Sequence, residues 1–302
     1  MSSKAKIFSS CGAIQVCALF IFFASLTASS FSFAQEDEAR RLWDSEFLKK
    51  RAATKTTAAP RKHPAYRRAT PKTNAVDEKV AGEVVGVTIW RLRPAGAADN
   101  KDSRLLLQDQ ETKDTAEWTP ERVEAETVFA TGDRVRLSIE SPRDGYLYVI
   151  DREQYADGTL SEPYLIFPAL SIRNGENAVT AGKVIEMPSR SAFQLKPLRS
   201  DYKGEVLTLI VTPQPIAEMK AGPGLTKLES KTVEQWEKQW SAPVERFEMI
   251  GGAGKTYTKA EKEAGVEGRL LTQEDELPQT LYRVVAKPGS PFVIAVALKI
   301  GK

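Results

Sequence analysis

The 302-residue chain has a single histidine, only two cysteines and one long apolar run, and each scarcity removes a class of chemistry. With His63 as the sole imidazole, a Ser-His-Asp triad, a Cys-His dyad and a histidine-ligated zinc site are all excluded. Cys11 and Cys17 both sit near the start of the chain, within or beside that apolar run, Val16 to Leu26. Eleven residues fall short of the roughly 20 that cross a bilayer as a helix. The formal charge of +3 is too small to mark the whole chain as a polyanion binder.

What is present at the start reads as a secretory leader over residues 1–34. Lys4 and Lys6 supply the positive end, the apolar run follows, and Ser32-Phe33-Ala34 places small residues where a signal peptidase reads. Cleavage is expected between Ala34 and Gln35, with retention as an uncleaved anchor as the alternative. Loss of the leader removes both thiols, so the mature chain is expected to have no disulfide, no Cys nucleophile and no Cys-ligated metal. The expected location is exported, periplasmic or secreted.

Charge then divides the chain. Residues 35–75 hold eleven bases and five acids, and residues 76–302 hold thirty bases and thirty-five acids, so a basic arm precedes an acidic body. A short helix is expected over Glu36–Arg51, acids leading and bases trailing as the helix dipole prefers. From Lys49 to Lys72 there are nine bases, no acids, and much Ala, Thr and Pro, which predicts a disordered linker over the arm, residues 35–78. Its bases Lys49, Lys50, Arg51, Lys55, Arg61, Lys62, Arg67, Arg68 and Lys72 are the candidates for electrostatic contact with anionic envelope material; a plain spacer lying on its own acidic body is the alternative. Nucleic acid is not expected as a partner, because Tyr66 stands alone and no stacking platform forms. Membrane contact is expected to be peripheral at most, unless the leader is kept.

The body, 79–302, predicts a mostly β, antiparallel sandwich with one or two accessory helices. Val84–Leu92 is a β-branched run, and Arg134–Glu140 alternates with Val135, Leu137 and Ile139 on one face. Ser141-Pro-Arg-Asp-Gly145 is turn chemistry, and Tyr146–Ile150 is apolar on both faces, so a hairpin is expected here. Further strands are expected at 164–167, 183–187, 192–196 and 205–211, with a closing hairpin from 280–287 to 292–299. Thr226-Lys-Leu-Glu229 has capping-box spacing, and Leu225, Leu228, Val233, Trp236 and Trp240 then recur at helical spacing. That helix is expected to dock on the sheet. A shorter one is expected over Thr258–Ala264.

Within this body, Thr131–Ile150, Leu165-Ile-Phe-Pro168, Asn177–Gly182, Ile185–Pro188 and Gly204–Val211 form a recurrent set. On these residues the segment of about 131–215 resembles the uncharacterised bacterial family known as domain of unknown function 4384. The resemblance implies a β-rich, often exported module, sometimes fused to caspase-like or kinase domains, and carries no catalytic or binding residue. The stretches Gln154–Pro163 and Arg199–Lys203 depart from the usual pattern.

Two motifs are decoys. Gly251-Gly-Ala-Gly-Lys-Thr256 suggests a phosphate loop, but the first required glycine is Met249. Asp151–Glu162 has the length of a calcium loop, but Ala156 holds the sharp-turn position and Tyr155 a ligand position. No catalytic, metal or cofactor residue emerges, so no enzyme is expected. The expected function is a non-enzymatic module that binds or scaffolds in the bacterial cell envelope, its partner anionic envelope material or an envelope protein. A periplasmic subunit of a signalling or secretion complex is one alternative; strand 292–299, if it lies at an edge, would be its pairing site. A carboxylate-dependent wall-glycan hydrolase is the other.

Overall fold

The computed structural model describes residues 49, 51, 64–70, 82–108, 114–188 and 191–301. Among these described residues sixteen strands form two sheets. The first contains β1 (Tyr66–Arg68), β2 (Glu83–Pro94), β3 (Leu105–Gln108), β4 (Thr115–Val123), β6 (Arg134–Glu140), β10 (Val184–Met187), β11 (Phe193–Gln194), β14 (Val244–Met249) and β15 (Thr280–Val284). The second contains β5 (Val128–Phe129), β7 (Gly145–Tyr155), β8 (Tyr164–Phe167), β9 (Ala178–Val179), β12 (Tyr202–Thr212), β13 (Thr226–Lys227) and β16 (Phe292–Ile300). All pairings between these strands are antiparallel except β16 with β5.

Period-two alternation decides what each face buries. Val85, Val87 and Ile89 of β2, with Val135, Leu137 and Ile139 of β6, point inward. They meet Leu147 and Val149 of β7, Leu207, Leu209 and Val211 of β12, and Ile294, Val296 and Leu298 of β16. This is the core of a sandwich, two inner faces interdigitating. The mostly β, antiparallel architecture is therefore as the sequence predicts.

Two connections differ from expectation. The turn at 141–144 does not close a hairpin: β6 pairs with β2, β10 and β11, whereas β7 pairs with β12, β8 and β9, so the chain arches from one sheet to the other. The segment 285–291 likewise joins β15 of the first sheet to β16 of the second. Both flanking strands put apolar residues into the shared core, and an arch satisfies that from opposite sides.

Helix α1 (Ser230–Gln239) covers the outer face of the second sheet, with Val233 fully buried over Tyr148, Ile150 and Ile210. Trp236 and Trp240 stack there with centroids 6.0 Å apart, beside the same cluster. The capping box expected at Thr226–Glu229 is absent, because Thr226 and Lys227 pair with β8 and Glu229 caps α1 without a side-chain bond. The box belongs to α2 (Lys259–Glu267), where Thr258 and Glu261 satisfy each other's backbone N–H groups. Thr258→Ala is expected to cost about 1 kcal/mol in urea unfolding, and a change under a few tenths would contradict this role.

Candidate functional site

The outer face of the first sheet carries an unusual load of charge. Alternation puts Thr88 and Trp90 of β2, Arg136, Ser138 and Glu140 of β6, and Glu186 of β10 on the side away from the sandwich core. Such residues ordinarily face water. Here α2 and the segment 268–279 lie over them, and Arg136, Glu140 and Glu186 are at most 3% exposed. A charge so enclosed requires a partner.

Each one has it. Arg136 Nη2 donates to Glu186 Oε2 at 2.9 Å, and the Tyr257 hydroxyl donates to the other oxygen of that carboxylate. Arg122 donates to Glu261 from α2 and, at 2.6 Å, to the carbonyl of Leu277, its guanidinium lying 5.2 Å from the Trp90 ring centroid. Trp90 Nε1 donates to Ser138 at 2.8 Å. Burial pushes both the Glu140 and the Glu186 carboxyls above the ordinary range, against the pull of Arg51 and Arg136.

The cation on Glu140 comes from the arm. Arg51 Nε and Nη2 form a fork on the two Glu140 oxygens at 2.9 and 2.6 Å. Its remaining N–H groups reach the carbonyls of Asp275 at 2.9 Å, Glu276 at 3.2 Å and Thr272 at 3.5 Å. A cavity of about 40 Å³ persists beside it, lined by Thr88, Trp90 and Leu271 among others. The segment that supplies the carbonyls is itself pinned. Asp275, although partly buried, is held down at about 2 by hydrogen bonds from Arg269 and Thr272.

Arg68 repeats the arrangement on the same face. It donates to Glu245 of β14 at 2.8 Å, and Arg283 of β15 donates to the other Glu245 oxygen at 2.9 Å. Tyr66, two residues earlier, is buried and donates to the Pro278 carbonyl at 2.6 Å. Arg67 points the other way and meets Glu124 at 2.8 Å near the surface. The expectation of a row of bases offered to external anions is thus corrected at Arg51 and Arg68. Both are buried on carboxylates of the body, Arg51 on Glu140 and Arg68 on Glu245 beside Arg283. Lys49 is exposed. Ala34, Gln35, Lys50, Lys55, Arg61, Lys62 and Lys72 lie outside the described residues. Within the stretch read as linker, Tyr66–Arg68 is an edge strand on β14.

Two further features concern the second sheet. Asp151 and Glu153 of β7 continue the inward row of Leu147 and Val149, with Glu153 directly opposite Glu205 of β12 and Asp151 opposite Leu207. Tyr202 donates to Glu205 at 2.6 Å. Among the described residues no group of three or more His, Cys, Asp and Glu has a metal-holding arrangement. Sequence reasoning passed over this cluster, although carboxylates at i and i+2 on a core-facing row are a readable signal. The Asp151–Glu162 stretch is a strand and a hairpin, with Leu160 bridged back to Gln154.

The second feature is the edge of β16. Among the described residues, one side pairs with β12 from Phe292 through Lys299, and the other with β5 at Lys299 and Ile300 only. The Gly301 N–H donates to the Phe129 carbonyl at 3.0 Å, which fixes the parity: odd-numbered residues face the β5 side. The N–H and C=O groups of Val293, Ala295 and Ala297 therefore line an edge that is open among the described residues. From Phe292 to Leu298 there is no charge, Pro or Gly, the devices that blunt edges elsewhere.

Residues 128–215 match the family model described as Domain of unknown function (DUF4384). No curated protein and no solved structure matches the chain. The matched segment runs from β5 to the end of β12, so it contains Glu140, Glu186, Asp151, Glu153 and Glu205. Arg51, Arg122, α2 and β16 lie outside it. Glu140 and Glu186 thus belong to the matched segment, while Glu245 and Arg51, the cation on Glu140, lie outside it.

Proposed function

We propose that the protein is an exported, non-enzymatic β-sandwich module that holds a partner polypeptide in the bacterial cell envelope by adding its strand to β16. The open edge of β16 carries this reading. Strand addition takes affinity from main-chain hydrogen bonds, and three consecutive odd-numbered residues present them here. The leader-like start and the thiol-free body support export, and among the described residues no helix is long and apolar enough to cross a membrane. The basic arm supplies at most an auxiliary contact, since Arg51 and Arg68 are engaged within the body.

The test is Ala295→Pro. Proline there removes an N–H that faces the open edge and leaves the β12 ladder intact. The full chain, exported from its own leader and carrying a photo-crosslinking residue at Ala297, is expected to yield one discrete adduct with an envelope protein. Adding Ala295→Pro is expected to reduce that adduct at least tenfold with an unchanged melting temperature. An adduct insensitive to the proline, or none at Ala297, would overturn the reading.

A further inference from the structure

We propose that the cavity over Glu140 is a guanidinium-binding site, filled in cis by Arg51 and able to take an arginine side chain supplied in trans. This does not rest on the β16 reading, which concerns the other sheet.

The site has the form of a receptor. Its floor is a buried carboxylate, Glu140, at the end of β6, 3% exposed and offering both oxygens. Its rim is a row of backbone carbonyls from Thr272, Asp275 and Glu276, fixed by the Arg269–Asp275 fork at 2.6 and 2.8 Å. Two oxygens in one plane with carbonyls beyond match the planar, five-donor fork of arginine, and mismatch the compact three-donor ammonium of lysine. The aromatic wall is Trp90, with Arg122 over its ring and drawn away from Glu140 by Glu261 and the Leu277 carbonyl.

Two observations make Arg51 a ligand rather than a fixture of the sheet. It lies 89 residues from Glu140 in sequence and precedes every strand of the sandwich, so no register forces it into place. Unfilled space of about 40 Å³ also remains beside it, within the same lining. Glu140 cannot be left alone once its cation departs, because an enclosed carboxylate without a partner is strongly destabilising. Arg51 therefore leaves only when another guanidinium replaces it. The Arg51 side chain is in this sense a plug, exchangeable for an arginine of a partner.

The experiment uses the full chain with Arg51→Ala and thermal unfolding as readout. The probe is a synthetic peptide of residues 47–55, Phe-Leu-Lys-Lys-Arg-Ala-Ala-Thr-Lys, with a second peptide identical except for lysine in place of arginine. Arg51→Ala is expected to lower the melting temperature by several degrees. The arginine peptide is expected to restore most of the loss in a saturable manner, and the lysine peptide less than a tenth of it. The wild-type chain, with its site filled, is expected to respond to neither. If Arg51→Ala folds too poorly to study, Arg51→Ala with Glu140→Gln removes the uncompensated charge; that double variant is expected to fold and to ignore both peptides. An Arg51→Ala chain as stable as wild type, equal rescue by the two peptides, or a peptide response that survives Glu140→Gln would each overturn the proposal.

Discussion

Glu245→Ala is expected to lower the unfolding free energy by about 4 kcal/mol, among the largest effects of any single surface-sheet substitution in this protein. Glu245 is the shared anion of two guanidiniums, Arg68 at 2.8 Å and Arg283 at 2.9 Å, and all three side chains are at most 4% exposed. The Phe247 ring also lies 5.3 Å from the Arg68 guanidinium. Alanine removes the carboxylate that both enclosed cations share. Truncating one partner of a buried pair costs about 3–5 kcal/mol, and here one deletion breaks two pairs. Glu245→Gln tests the cause. It keeps the volume and one acceptor, so a loss close to that of alanine assigns the effect to charge, and a loss under about 1 kcal/mol would remove the electrostatic account. Urea unfolding at neutral pH measures both. Since Arg68 belongs to β1, the same substitution should also raise proteolysis of the arm before global unfolding begins.

How much of the fold is legible in the sequence follows from the range of the interactions involved. The strands at 84–92, 134–140, 164–167 and 205–211 are legible because alternation and β-branching are local. So is the docking of Trp236 and Trp240, whose spacing belongs to one helix. The connections are not. Ser141–Gly145 has the same turn chemistry in an arch as in a hairpin, and only the distant partners of β6 and β7 tell them apart. The capping box has two possible places, Thr226–Glu229 and Thr258–Glu261. The first is overridden by two residues pairing with β8, a tertiary contact. The outer-face charges escape for a different reason. Ser138 and Glu140 alternate with core residues and so read as solvent-facing, because nothing local announces that α2 and a single arginine some ninety residues earlier will cover them. Arg51 itself sits among Ala, Thr, Pro and other bases, a composition that averages away the one position that docks.

The carboxylate cluster of the second sheet gives a pH dependence whose sign is opposite to ordinary acid denaturation. Asp151, Glu153 and Glu205 face one another at the end of the sandwich core, with Tyr202 on Glu205 and Tyr155 beyond it under the Arg199 guanidinium. Burial first, and the Asp151 charge second, raise the Glu205 carboxyl to about 8. Asp151 rises in the same way, mainly through burial. In the unfolded chain both titrate in the normal carboxylate range, near 4. Between those values the native state holds more protons than the unfolded one, so stability falls as pH rises. The contribution is complete below about pH 4 and is lost by about pH 8, a window in which Asp275, held down at about 2, does not titrate. Glu205→Gln keeps an acceptor for Tyr202 and removes the carboxylate charge, as protonation does at low pH. The variant is expected to match wild type at pH 5 and to exceed it by about 2 kcal/mol at pH 8. Melting temperatures of the two chains measured across that interval give the answer. Converging curves toward acid and a gap that opens toward alkali support a shared proton on this cluster. Parallel curves would mean that Glu205 is ionised in the fold at every pH, with its charge met by a cation, and would exclude the shared proton.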